Sequence, residues 1–295
     1  MAVEIGTASG YLDLLDKLVT FATGLTAPEA WTVDRNITAA DGERELIMHG
    51  PGLDGSQAIY VGVRSRTNAD SDSYNWRLMG CTGYVAGNAW WAQPNSSNTW
   101  TSGNSANLLL WDQAIPYWFI GSGRRLIVVA KVSTVYETAY LGYALPYATP
   151  GQYPYPLVVA GTSDRANQRW DWQGDGHSAL WRPLDPNVQW RTADGEWRRL
   201  REANTKGDDQ VNPGLIDGSL GDDWREAPDG TRWLLPLVGV SYGPDNYLGE
   251  LDGLAVVPGF GIAAEDIIDD GGDDWLVVQS AFRTTSRDYA AVRLV

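Results

Sequence analysis

The chain has 295 residues and a formal net charge of −15, from 37 acidic and 22 basic side chains. That acidity repels phosphate and disfavours nucleic acid as a partner. A hydrophobic fraction of 43% supports a packed core and argues against global disorder. Cys81 is the lone cysteine, so an intrachain disulfide is excluded, and no run of about 18 apolar residues is present to span a bilayer.

The aromatic residues are skewed, with 15 Trp and 14 Tyr against 4 Phe. Trp and Tyr carry an apolar body and a polar tip, so this bias predicts half-buried positions whose N–H or O–H reaches solvent or a partner. A β-sandwich with exposed cross-strand aromatic pairs is the plainer explanation. Positive charge is nearly all arginine, which suits fixed bidentate pairing at interfaces; codon bias would give the same result.

The opening MAVEIGTASGYLDLLDKL lacks a basic segment and a long apolar core. It does not read as a signal peptide, and the expectation is folding in a reducing cytoplasm. One helix is predicted next. Thr7 or Ser9 can cap it, Leu12, Leu15, Leu18, Val19 and Ala22 form the apolar stripe, Leu14 and Phe21 widen it, and Gly24 ends it.

Everything afterwards reads as β. Strands are predicted at Glu45–His49, Ala58–Arg64, Tyr74–Met79, Tyr117–Ile120, Leu126–Val132, Val135–Tyr143, Leu157–Ala160 and Ala179–Arg182. Others are predicted at Val188–Arg191 with Trp197–Arg201, Trp233–Val240, Leu251–Val257, Trp275–Phe282 and Tyr289–Leu294. Gly, Pro, Asn and Asp clusters separate them. Asp194-Gly195 marks a hairpin turn, and Asp270-Gly271-Gly272-Asp273 marks a second.

Residues 86–107 read as a long polar loop carrying Trp90, Trp91 and Trp100. Residues 124–156 run from two apolar strands into a Pro/Tyr/Gly segment that proline keeps out of helix. Tyr140, Tyr143, Tyr147, Tyr153 and Tyr155 crowd this stretch. With Arg124 and Arg125 they are the candidates for core or inter-subunit packing. The predicted fold is mainly β: a β-sandwich or barrel-like antiparallel core with one N-terminal α-helix and a β-rich insertion. The divisions are 1–161 (helix plus β core), 162–230 (loop-rich insertion) and 231–295 (C-terminal strands completing the core).

Catalytic chemistry is thinly represented. His49 reads as a strand-end residue, His177 lies in a turn, and two distant histidines make no metal site. No nucleophile elbow or phosphate loop is present, and Cys81 reads as a small buried hydrophobe. Asp269, Asp270, Asp273 and Asp274 offer calcium-ligand chemistry, but without EF-hand spacing they read first as solvated turn carboxylates. No cofactor is expected. Trp90, Trp91 and Trp100 could alternatively stack on a glycan, as could Trp170, Trp172 and Trp181.

Several ordered segments resemble tailed-bacteriophage virion structural proteins, a group also met in prophages. They are GTASGYLDLLDKLVTF, LIMHGPGLDGSQAIYVGVRS, LLLWDQAIPYWFIGSGRRLIVVAKVSTVYETAYLGYALPYATPGQYPYPLVVAG and GELDGLAVVPGFGIAAEDIIDDGGDDWLVVQSAFRTTSRDYAAVRL. The resemblance covers 1–162 and 231–295 and is weakest over 162–230. It implies a non-enzymatic structural component of the tail or baseplate, assembled in the host bacterial cytoplasm. Its implied partners are copies of itself and other virion proteins. Neck, tail-tube end and capsid decoration are alternative positions in the particle. A carbohydrate- or receptor-binding module, with a host surface glycan as partner, is the rival reading; a polysaccharide-degrading enzyme ranks third.

Overall fold

The protein is described from a computed structural model covering residues 1–53, 55, 57–97, 105–169, 187–200, 210–212, 232–241, 246–281 and 288–294. Its frame is mainly β. Three antiparallel sheets are stacked so that the middle sheet is covered on both faces. The middle sheet runs β1 (Ala2–Ala8), β7 (Ile115–Ser122), β8 (Arg125–Val132), β9 (Val135–Tyr143), β11 (Leu157–Ala160), β12 (Val188–Arg191) and β13 (Trp197–Leu200). One outer sheet runs β2 (Thr32–Thr38), β3 (Arg44–Gly50), β4 (Ile59–Asn68), β5 (Ser73–Cys81) and β6 (Asn107–Leu108). The other runs β14 (Gln210–Asn212), β15 (Leu235–Ser241), β16 (Asn246–Val256), β19 (Tyr289–Arg293), β18 (Asp274–Gln279) and β17 (Ile267–Asp269). The short β10 (Leu145–Pro146) also pairs with β16.

The layering explains the unbroken apolar runs in β8 and β9. Successive strand residues point to opposite faces. In β8, Leu126, Val128, Ala130 and Val132 meet the first outer sheet, while Ile127 and Val129 meet the second. In β9, Val135, Ala139 and Leu141 face one way and Tyr136 and Tyr140 the other. An antiparallel strand with one wet face would alternate with polar residues; these strands have no wet face. Each fully buried Val, Leu or Ile here contributes about 1.5–3 kcal/mol relative to exposure.

The helix α1 spans Tyr11–Thr23 and packs into the first core. Its buried stripe is Tyr11, Leu14, Leu15, Leu18, Phe21 and Ala22, while Leu12 is exposed. Of the predicted stripe, Leu14, Leu15, Leu18, Phe21 and Ala22 are buried, and Val19 is half-buried. The predicted caps differ. Gly10 occupies the N-cap without a side-chain cap, and Ser9 instead donates its backbone N–H and its hydroxyl to Asp13 Oδ2 at 2.7 and 3.2 Å. Gly24 does end the helix, returning its N–H to the Thr20 carbonyl.

The β12–β13 hairpin, turned at Gly195 with φ 89°, extends the middle sheet, and β14 pairs with β15. The strands of 231–295 pair into the second outer sheet and pack on the middle sheet to close the second core. Among the described residues, no helix is long and apolar enough to cross a membrane.

The tryptophans act as ties between layers and loops. Buried Trp31 donates its indole N–H to the Ser122 carbonyl at 2.8 Å, Trp76 to Tyr11 at 3.0 Å and Trp90 to Leu46 at 3.0 Å. Trp190 donates to the Tyr153 hydroxyl at 2.7 Å, which in turn donates to the Arg191 carbonyl. A Phe in these places would fill similar space and leave the acceptor unpaired, which explains why Trp outnumbers Phe.

Candidate functional site: an arginine-lined pocket

Arg124 lies with Gly123 in the turn after β7, and Arg125 opens β8. Asp252 sits within β16, and Arg293 ends β19. The stacking brings all four together. Asp252 Oδ2 accepts from Arg124 Nε at 2.9 Å and Arg125 Nε at 3.0 Å, and its Oδ1 accepts from Arg293 Nη2 at 3.0 Å. Asp252 and Arg125 are buried, whereas Arg124 and Arg293 reach solvent.

Two glycines make room for the Arg125 segment. Gly142 pairs with Arg125 across β8–β9 at φ 141°, where a Cβ would lie 2.4 Å from the Arg124 carbonyl oxygen. Gly253 has φ 76°, and a Cβ there would stand 2.5 Å from Arg125 Nη2. Both positions are left-handed or mirror-β backbone that glycine adopts without steric cost.

Electrostatics follow from this geometry. Burial pushes the Asp252 carboxyl upward, but Arg125, Arg124 and Arg293 together outweigh that and hold it below the usual aspartate value. Burial lowers the Arg125 guanidinium, opposed chiefly by Asp252. The group opens onto a cavity of about 480 Å³, whose other walls include Pro28, Glu29, Pro51 and Leu53. Three guanidinium groups there face two carboxylates, so the pocket is positive within an acidic chain.

The tyrosine candidates divide. Tyr140, Tyr143 and Tyr153 lie in the cores, so they are not free to dock a neighbour, while Arg125 is buried at the wall of the pocket. Tyr140 donates to the Tyr143 carbonyl at 2.6 Å. Tyr155 is half-buried beneath Arg191, whose guanidinium lies 5.7 Å from its ring. Tyr147 is 54% exposed, as is Tyr247 at 65%. Tyr147 donates to Glu250 at 2.7 Å; partial burial and that bond push its hydroxyl up to about 12.

Of the glycan-stacking candidates, Trp90 and Trp91 are among the described residues. Residues 85–97 fold back over the outer face of β3–β5, with Ser97 N–H bonded to the Gly80 carbonyl at 2.8 Å. Trp90 is fully buried against Ile47, Met79 and Cys81, which removes it as a stacking platform. Trp91 is half-buried with Arg64 5.7 Å from its ring centre. Trp100, Trp170, Trp172, Trp181, His177 and the strand predicted at Ala179–Arg182 lie outside the described residues.

The acidic turn is a hairpin between β17 and β18, with Gly271 at φ 91°. Asp269 Oδ1 accepts from Gly271 N–H, Asp270 accepts from Asp273 N–H and the Trp275 indole, and Asp273 pairs with Arg293. These carboxylates serve the turn; among the described residues no group of three His, Cys, Asp or Glu converges as a metal site.

Sequence reasoning missed one arrangement. His49, Tyr60 and Cys81 stand opposite one another across β3, β4 and β5, and His49 Nδ1 lies 2.7 Å from Asp34 Oδ2. Tyr60 separates the imidazole from the thiol. Burial pushes Cys81 up to about 12, leaving it a thiol at neutral pH. The row is a His–Asp pair without an adjacent activated nucleophile.

Comparison of the sequence with protein-family models and with curated proteins finds no match.

Proposed function

We propose that this chain is a non-enzymatic structural subunit of a tailed-bacteriophage particle, placed in the tail or its baseplate. It is made in the host cytoplasm and assembles with copies of itself and other virion proteins. The ordered sequence segments quoted above motivate the particle. One structural observation carries the assembly role: the outermost strands display apolar side chains to solvent. Ile5 on β1 is 61% exposed, Ile37 on β2 45% and Ile267 on β17 53%. Exposed Tyr147 and Tyr247 add an aromatic patch beside the β10–β16 pairing. Edge strands with outward apolar residues favour pairing with another chain. A subunit buried in a larger assembly gains from such edges.

The chemistry described above agrees with this reading. The thiol is sealed, and the clustered carboxylates are engaged by arginines or turn amides. On the outer face of the first sheet, for example, Arg64 pairs with Glu45 at 3.1 Å and Arg66 with Glu43 at 3.0 Å.

Sedimentation velocity of wild type and a Tyr147→Ser/Tyr247→Ser variant tests the surface. The expected result is a concentration-dependent oligomer in wild type that weakens in the variant without loss of melting temperature. A monomer at all concentrations that fails to bind particle proteins would overturn the proposal.

A further inference from the structure

The arginine pocket has more donors than Asp252 uses. The carboxylate takes Arg124 Nε, Arg125 Nε and Arg293 Nη2, with Arg124 Nη2 also 2.9 Å from Oδ2. Arg125 Nη2 meets only the Met1 thioether at 3.0 Å, a weak acceptor, and Arg125 Nη1 is buried with no acceptor among the described residues. A buried guanidinium N–H without a partner costs free energy that a bound oxyanion would recover. Glu29, the second carboxylate of the walls, is 45% exposed and pairs with the N-terminal ammonium at 3.8 Å. Pro51 and Leu53 give the opposite wall an apolar character.

From this we propose that the pocket binds a carboxylate carried on an apolar body, its oxygens taken by Arg125 and Arg124 and its carbon chain lying along Pro51 and Leu53. Arginine's planar fork matches a carboxylate, and Asp252 already shows that match within the same cluster. A cavity of about 480 Å³ accommodates a small organic acid. The same chemistry is offered by a Glu or Asp side chain of a neighbouring copy, and this chain is rich in both. The inference is independent of the assembly surface, since Tyr147, Tyr247 and Ile5 are not among the pocket's residues.

Calorimetric titration of the full chain with hexanoate, at low ionic strength, is the test, with acetate, inorganic phosphate and hexylammonium as comparison probes. Saturable hexanoate binding is expected, with acetate and phosphate weaker and hexylammonium silent. Arg124→Gln should weaken hexanoate binding by about tenfold, the loss of a charge-assisted hydrogen bond. Arg293→Gln, which removes a positive charge from the pocket wall on the other side of Asp252, should weaken it less; melting curves establish that each is folded. Absence of saturable hexanoate binding to wild type would overturn the assignment. So would acetate or phosphate binding as tightly, or folded variants with wild-type affinity. Sedimentation in hexanoate then separates the sources. Dissociation of an oligomer assigns the site to a neighbour's side chain, and an unchanged state assigns it to a free acid.

Discussion

Replacing Asp252 by Asn tests whether this carboxylate is the electrostatic hub joining the middle sheet to the C-terminal layer. The substitution keeps the size of the side chain and removes its charge. Arg124 is more than a third exposed, so water screens much of its loss. Arg293 is partly screened too. The decisive partner is Arg125, whose side chain is 1% exposed and would be left as an uncompensated buried cation. Breaking a buried pair in this way costs about 3–5 kcal/mol. At roughly 2 °C per kcal/mol for a chain of this size, the melting temperature should fall by roughly 6–10 °C. Adding Arg125→Met removes the stranded charge, and the double variant should regain at least half the loss. Urea titration with far-ultraviolet circular dichroism reads both. A loss below about 1 kcal/mol for Asp252→Asn, or a double variant weaker than the single one, would refute the reasoning.

Other outcomes follow from the same geometry. Because the arginines hold the folded Asp252 carboxyl below its unfolded value of about 3.9, its stabilisation is complete above that value and is lost as pH falls through the lower folded one. Wild type should thus lose stability more steeply than Asp252→Asn on acidification below about pH 4; parallel curves would contradict this. Cys81 should resist a thiol reagent such as dithiobisnitrobenzoate in native buffer and react at once in denaturant, and rapid native labelling would show that the outer cluster is open. Gly142→Ala should destabilise by about 1–3 kcal/mol, since the new Cβ meets the Arg124 carbonyl at positive φ; a neutral result in chemical denaturation would place the backbone elsewhere. Trp90→Ala should cost about 3–5 kcal/mol by the cavity it opens, and an unchanged midpoint would mean that the indole is solvated.

Much of the strand content was legible because two-sided burial writes dense apolar runs. The predicted Val135–Tyr143 and Leu157–Ala160 coincide with β9 and β11. β1 and β2 were missed for the opposite reason. AVEIGTA and TVDRNIT are outermost strands with one hydrogen-bonded neighbour, and their partly exposed faces tolerate Glu, Asp, Arg and Asn. The layer count was hidden as well, since a run such as LIVVA is compatible with any doubly covered strand and does not say what covers it.

The pocket was half visible. Arg124 and Arg125 stood out as adjacent charges entering an apolar strand. Asp252 carried a weaker signal, a carboxylate between Leu251 and Gly253 just before the apolar Leu254–Val256 run, where an unpaired charge would be costly. Nothing in sequence order joins these positions to Arg293; only the stacking of two sheets does. The tyrosines misled because burial and docking call for the same residue type. Tyr140, Tyr143 and Tyr153 turned inward, while Tyr147 remained outside.

The assembly account is tested most directly by peptide-level mass spectrometry of purified phage particles, calibrated against a major tail protein. The account predicts this chain in a fixed number of copies per particle, retained through density-gradient purification. Its absence from intact particles, with the protein recovered only as a free monomer in the lysate, would contradict the account.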